Sequence, residues 1–194
     1  MKLKTFTTRE FEISLPDTYI GGSPGSDKKA IRLAIKELRP SQMPKFQQFF
    51  SQAIFSFLAA DTHLREGQRR LTTCSVNVMK LPRRYAKMSP QELMESMRGQ
   101  LDGSTDVLEA DLVEFSGFNA VRLITARRKT KGIFGMTIGS RSFRDDEEAP
   151  AEKSLSFIFT HGKKYISAIF TTQPDFFSDL LPVFEDSVVT LKLL

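Results

Sequence analysis

Apolar and polar residues alternate from Phe11 through Ile13 to Leu15 and stop at Pro16-Asp17, a pattern that predicts a strand closed by a turn. Gly21-Gly22-Ser23-Pro24-Gly25-Ser26 reads as a loop, and Asp27 stands where a helix N-cap belongs. Ile31, Leu33, Ala34, Ile35 and Leu38 then fall on one helical face, with Pro40 ending the helix. Met43, Phe46, Phe49, Phe50 and Ile54 repeat at helical spacing, so residues 27–52 are expected to form a helical pair. Ile54 to Ala60 is apolar enough to be a buried strand. Thr73 to Leu81 alternates Cys74, Val76 and Val78 against Ser75, Asn77 and Met79, which predicts a half-buried one.

Ser89-Pro90-Gln91-Glu92 has the chemistry of a helix start: a capping hydroxyl, a proline at the first helical position and a carboxylate that can reach back. Leu93, Met94, Met97 and Leu101 should point inward until Asp102-Gly103 ends the helix. Beyond it the period shortens, and Val107 to Phe115, Ala120 to Arg128, Phe134 to Phe143, Leu155 to Thr160 and Tyr165 to Thr172 are expected strands joined by short turns. An acidic loop is expected at 144–153. Phe176, Phe177, Leu180, Leu181 and Phe184 return to helical spacing, and the run from Ser187 to Leu193 switches toward a closing strand. Pro182 removes a backbone donor within that helix, so a short or kinked one is expected. Together these elements predict a single α+β domain over 1–194: a twisted antiparallel β-sheet of about six to seven strands flanked by helices.

Charge changes the picture more than bulk composition does. The chain has a formal charge of +5, but residues 1–100 hold 17 Lys/Arg against 9 Asp/Glu while residues 101–194 hold 11 against 14. Basic and acidic surfaces should therefore be segregated. The 17 Phe and absence of Trp predict a Phe-rich interior. One cysteine, Cys74, cannot form an internal disulfide, and the Met1 to Glu10 start has no apolar signal core, so a soluble, cytoplasmic protein is expected.

Several segments carry a resemblance to a known family. Phe11-Glu12-Ile13-Ser14-Leu15-Pro16 at the start, Thr73 to Met79 followed by Ser89-Pro90-Gln91-Glu92-Leu93, Gly117-x-x-Ala120-x-Arg122-Leu123, and Phe184-x-x-Ser187-Val188-Val189-Thr190-Leu191 resemble the PsbP-like superfamily. That group includes PsbP photosystem subunits, a Ran-binding nuclear-import factor, the DcrB and LpqN bacterial proteins and the Eag secretion chaperones. The resemblance implies an α/β/α sandwich and a non-catalytic role in binding other proteins, with no cofactor. The helical pair at 27–52 departs from the compact relatives and is associated with uncharacterised bacterial members.

Candidate chemistry is sparse. Cys74, His63 and His161 lack the paired ligands of a zinc site and the oriented base of a cysteine nucleophile, so Cys74 reads as a core residue and the histidines as surface turns. The loop Gly21 to Ser26 departs from a phosphate cradle because Asp27 occupies the place of its lysine. Asp145-Asp146-Glu147-Glu148 lacks the interleaved spacing of a calcium loop.

Two basic clusters remain: Arg65, Arg69 and Arg70 with Arg83, Arg84 and Lys87, and Arg127, Arg128, Lys129 and Lys131 with Arg141 and Arg144. They could attract an acidic protein, phosphate or anionic lipid, while Tyr85 and Phe143 are too few for nucleic-acid stacking. Ile133, Phe134 and Met136, among glycines, form an expected hairpin tip suited either to docking or to folding back over the sheet. The expected function is a non-catalytic protein-binding module, an adaptor, chaperone or accessory subunit, with partner contacts at Arg83, Arg84, Lys87, Arg127, Arg128, Lys131 and Phe134. Alternatives are a photosystem- or membrane-associated accessory protein docking by its basic surface, with an anionic membrane surface as a further partner, and a small-ligand carrier or enzyme with an unrecognised pocket.

Overall fold

Alternation in β2 (Phe11–Pro16) places Phe11, Ile13 and Leu15 on one side, and all three are fully buried. In the computed structural model, which describes residues 2–51, 55–101, 103–115, 117–128 and 150–194, this strand is the centre of a three-stranded sheet. Its antiparallel partners are β1 (Leu3–Thr7) and the two-residue β10 (Lys192–Leu193). The remaining strands are β3 (Tyr19–Gly22), β4 (Phe57–Asp61), β5 (Thr73–Lys80), β6 (Thr105–Phe115), β7 (Phe118–Arg128), β8 (Pro150–His161) and β9 (Lys164–Thr172). They form one antiparallel seven-stranded sheet in the order β3-β4-β5-β9-β8-β7-β6. Four helices complete the described chain: α1 (Lys28–Lys36), α2 (Met43–Phe50), α3 (Pro90–Gln100) and α4 (Pro174–Val189).

The main core lies between the two sheets and α4. Phe57, Ala59, Cys74, Val76, Ala168 and Phe170 from the large sheet meet Phe11, Ile13 and Leu15 from the small one. Phe177, Leu180, Phe184 and Val188 of α4 close the space. Burying each such side chain is worth roughly 1.5–3 kcal/mol. Phe184 stacks on Phe170 with ring centroids 5.0 Å apart, so the phenylalanines of the last helix are core. The opposite face of the large sheet is covered at its two flanks. The α1–α2 pair packs Ile31, Ile35 and Phe46 against Ala60, and α3 packs Leu93 and Met94 against Val121, Leu123 and Ile158.

Several expectations need correction. Leu3–Thr7 and Tyr19–Gly22 are strands, so Gly21 and Gly22 belong to β3 and not to the loop. Asp27 stands at the N-cap of α1 without bonding it; its carboxylate accepts the Ser23 N–H at 2.7 Å and closes the preceding turn. Residues 150–153, assigned to an acidic loop, begin β8. α4 runs for 16 residues through Pro182 and is not short. Pro182 and Ser178 are both exposed, so the carbonyl deprived of its partner faces water, where the loss is small. Ser187 to Val189 extend that helix and are not strand, because Ser187 and Val188 are buried at positions that continue the stripe of Leu180 and Phe184. The expected strand Phe134 to Phe143, the residues Lys131, Ile133, Phe134 and Met136, and the acidic run 145–148 lie outside the described residues.

Local chemistry supports the frame. At α3 the Ser89 hydroxyl accepts the Glu92 N–H at 3.2 Å and Glu92 accepts the Ser89 N–H at 2.7 Å, completing the expected capping box. The N–H of Ser14 donates to the Thr190 hydroxyl at 2.8 Å, joining residues 176 apart and tying the end of α4 to β2. Arg122 on β7 reaches Glu185 of α4 at 2.8 Å and Glu109 and Asp111 of β6 at 2.9 and 3.2 Å. A bulge at Val107/Glu109 and the carboxylates of Glu109, Asp111 and Glu114 guard β6, a long edge strand.

Four outcomes follow from this packing. Gly21 pairs with Ala59, and a Cβ there would lie 2.5 Å from both the Ala59 Cβ and the Leu58 carbonyl oxygen. Gly21→Val should cost about 2–3 kcal/mol in urea denaturation, while Gly25→Ala, with open space, stays within about 0.5 kcal/mol. Ser89→Ala should cost about 1 kcal/mol. The backbone and hydroxyl of Ser89 hold the Glu92 carboxyl below its ordinary value, so its stabilisation is present above the free carboxylate value and disappears as pH falls through the lowered one. A Glu92→Gln variant should differ from the parent at neutral pH and converge with it in acid, as read by melting at stepped pH. Cys74 is fully buried and burial pushes its thiol up from the usual range. A thiol reagent should therefore label it only after denaturation; labelling of the native protein at a free-thiol rate would contradict the assigned core.

Candidate protein-docking groove

On the uncovered middle of the second sheet face, register aligns Leu58, Ser75, Ile169 and Ser156 in one row. Thr73, Thr171, Ser154 and Thr125 form the next. The strands thus carry hydroxyls where neither helical layer reaches, and Ser154 and Thr171 bond across the row at 2.8 Å. Leu58, Ser75 and Ile169 of the first row and Thr73 and Thr171 of the second form the floor of a groove of about 740 Å³. Phe49 of α2 and Phe55 supply an apolar wall, with Leu58, Leu71 and Ile169 beside it. Lys45, Arg69, Arg70 and Arg127 supply positive charge, against the single carboxylate of Glu152.

The groove's basic end is built by strand termini. Arg127 lies opposite Glu152 in the β7–β8 register, and Arg70 forms an ion pair with Glu152. The backbone N–H groups of Arg69 and Arg70 both donate to the Gln173 side-chain oxygen, which holds this connection against the start of α4. Lys45 reaches across from α2 to the Arg69 carbonyl at 2.9 Å. The guanidinium groups of Arg69 and Arg127 are exposed and make no ion pair among the described residues, so the groove keeps free positive charge.

The expected contact residues do not form one surface. Arg83, Arg84 and Lys87 lie in the turn after β5, at the end of the sheet where Lys80 pairs with Lys164. Arg127 and Glu152 lie at the other end, level with Gln173, so nine residue steps along β9 and its extension, roughly 30 Å, separate the two groups. The first basic cluster is therefore split: Arg69 and Arg70 join Arg127, while Arg83, Arg84 and Lys87 form a separate patch. Arg84 is already engaged, lying 4.6 Å from the Tyr85 ring centroid and donating to Gln100 at 3.1 Å. Arg128 is held by Asp106 through two bonds of 2.9 Å. Lys131 and Phe134 lie outside the described residues.

Other candidates resolve toward structure. Tyr85 is buried and stacks on Tyr165 at 5.7 Å, so it offers no open platform for a base. Burial, followed by the neighbouring Tyr85, pushes the Tyr165 phenol up to about 12. His63 and His161 are exposed at opposite ends of the sheet, beyond Asp61 and beside Lys164 respectively, and Cys74 sits between its faces in the core. Asp61, buried beside Tyr19, accepts the His63 N–H at 2.9 Å and pairs with Arg65 at 3.4 Å, a turn-closing arrangement. No group of three or more metal-ligating side chains occurs among the described residues, and no described helix is long and apolar enough to cross a membrane.

Lys45 and Phe49 were not legible as site residues because helical spacing assigns them only to an amphipathic segment. The hydroxyls of Thr73, Ser75, Ser154 and Thr171, out of phase with the buried apolar residues, are the signal that marks an uncovered sheet face.

No protein-family model and no curated protein matches the sequence. Solved structures do match in shape. Cyanobacterial PsbP (CyanoP) from Synechocystis sp. PCC 6803 superposes with a TM-score of 0.54 at 13% identity, covering 99% of this chain and 92% of that one. The Ran-binding protein Mog1p of Saccharomyces cerevisiae gives 0.55 at 8% identity, covering 100% and 96%. A protein of Bacteroides thetaiotaomicron VPI-5482 gives 0.52 at 12% identity, covering 100% of this chain and 49% of its own. At such identities the likeness speaks to architecture alone, and the chain has the α+β architecture of the PsbP-like fold.

Proposed function

We propose that the chain is a non-catalytic protein-binding module, an adaptor, chaperone or accessory subunit working in the cytoplasm, and that it grips an acidic segment of its partner in the groove beside α2. The observation that carries this reading is the pairing of a basic end, Arg69, Arg70 and Arg127, with an apolar wall, Phe49 and Phe55, over a hydroxyl floor. Charge of one sign attracts and orients an acidic chain, while the aromatic wall and hydroxyls supply contact area and hydrogen bonds once it is seated. The groove is open to solvent, whereas a small-molecule site encloses most of its ligand. Mog1p, which shares the architecture, is a Ran-binding protein, and this supports a protein as the class of partner.

Arg83 and Lys87, with Arg84 fixed between them, make a second contact patch for a partner long enough to span the sheet. Arg128, Lys131 and Phe134 complete the proposed contact set. A docking mode based on charge would weaken as salt rises.

Affinity capture from cells of the source organism, quantified by mass spectrometry, should recover a partner whose yield falls more than about tenfold for Arg69→Glu/Arg127→Glu and with added salt. Lys28→Glu/Arg32→Glu/Lys36→Glu, on a surface away from the groove, should leave that yield unchanged. Equal recovery by the groove variant and the parent would refute the assignment.

A further inference from the structure

The α1–α2 pair carries a marked excess of positive charge. Residues 28–51 contain Lys28, Lys29, Arg32, Lys36, Arg39 and Lys45 against the single acid Glu37, so this segment alone accounts for an excess equal to the +5 of the whole chain. In α1 the positions sort sharply. At about 100° per residue, Lys28, Arg32, Lys36 and Lys29 all fall within an arc of about 100°, while Ile31 and Ile35 lie on the side turned to the protein. The two isoleucines are buried, and all four cations are exposed. None of the four makes an ion pair among the described residues.

Apolar surface adjoins this arc on both sides. Leu33 follows the cations around the helix and is 54% exposed. On the other side an open cleft of about 520 Å³ runs between α1 and α2, with Ile31, Ile35 and Phe50 inside and Lys28, Arg32 and Lys36 along its rim. Solvation alone requires neither a one-signed arc nor an exposed leucine beside it.

We propose that the α1 side of the helical insert is a docking surface for an anionic lipid bilayer, with Lys28, Lys29, Arg32 and Lys36 among the headgroups and Leu33 entering the interface. A bilayer fits this surface better than a folded acidic protein does. Three of the four cations are lysine point charges and none of the four has the bonded fixing seen at Arg128 or Arg122, and a helix lying flat with cations beside an apolar residue matches the depth profile of a membrane interface. The proposal is independent of the groove, which opens on the sheet face beyond α2 and uses different residues.

The test is sedimentation of the full chain with vesicles of phosphatidylcholine alone and of phosphatidylcholine with roughly one-third phosphatidylglycerol. The parent should pellet with the anionic vesicles only and be released by salt. Lys28→Glu/Arg32→Glu/Lys36→Glu should bind more than about tenfold more weakly, and Leu33→Ser should weaken binding at unchanged charge. Lys80→Glu/Lys163→Glu/Lys192→Glu, with the same change in net charge at exposed positions across the sheet, should bind as the parent does. Melting curves verify that each variant is folded, and Leu33→Ser keeps the question answerable if the triple reversal is not. Failure of the parent to pellet, or equal loss in the two triple variants, would overturn the proposal. So would loss of a captured acidic protein on reversing α1 without any vesicle binding. Because capture through the groove is scored with Arg69 and Arg127, either reading can fail while the other stands.

Discussion

The burial of one stripe of α4 between two sheets is the constraint on which the rest of the structure depends. Phe177, Leu180, Phe184 and Val188 fill the space that β2 and the central strands of the large sheet leave open. Phe184, with Phe170 at 5.0 Å and Phe177 at 6.4 Å, is the centre of that packing. Once the stripe is seated, the end of the helix has no freedom: Thr190 meets Ser14, and two residues later the chain joins β2 as β10. Glu185, on the flank of the same helix, is brought to Arg122 and so links α4 to the far strands β7 and β6. The small sheet is thus a consequence of where α4 must lie.

Sealing one face of the large sheet so completely leaves its other face to carry difference. There the two helical layers sit at opposite flanks, α1–α2 over β3–β4 and α3 over β6–β8 with Met97 reaching Tyr165 at one end of β9, and neither covers the central strands at the Thr73–Thr171 end. A sheet surface left to water cannot be uniformly apolar, and the central strands answer with Ser75, Thr73, Thr171 and Ser154. The groove is the geometric result of that division. Its charge comes from residues that are distant in the chain but adjacent at strand ends, since antiparallel pairing brings the start of β5, the end of β7 and the start of β8 to the same side. The acidic half of the chain is treated differently, with Arg122 and Arg128 drawing Glu109, Asp111, Glu185 and Asp106 into bonded pairs. Among the described residues, unpaired positive charge gathers on the α1–α2 pair, at the groove and in the turn after β5.

Local patterns proved legible wherever one physical rule acted alone. The alternation of Phe11, Ile13 and Leu15, the buried run at Phe57 to Ala60 and the Ser89–Glu92 capping box all carry their structure within a few residues. Rules in competition were not separable from sequence. Pro182 argues for a break, but its exposure makes the lost bond cheap while the apolar stripe continues beneath it, and packing prevailed. Ser187 to Val189 have the β-branched character of a strand, but burial of Ser187 and Val188 on the helical stripe decided their conformation. Gly21 and Gly22 signal a loop; β3 requires Gly21 because β4 passes too close for a side chain, and Gly22 because the Asp27 side chain lies against it.

What the sequence determined by itself was the α+β class, most elements, the Phe-rich core and the presence of excess positive charge, because periodicity, capping and composition are local or additive properties. Tertiary structure alone decided which charges act together. Arg69, Arg70 and Arg127 converge although more than fifty residues separate them, while Arg83 and Arg84, close to Arg70 in sequence, end at the opposite edge. The physical reason is that a strand carries its two ends some twenty-odd ångströms apart, about 3.3 Å per residue, and only register across the sheet determines which ends meet.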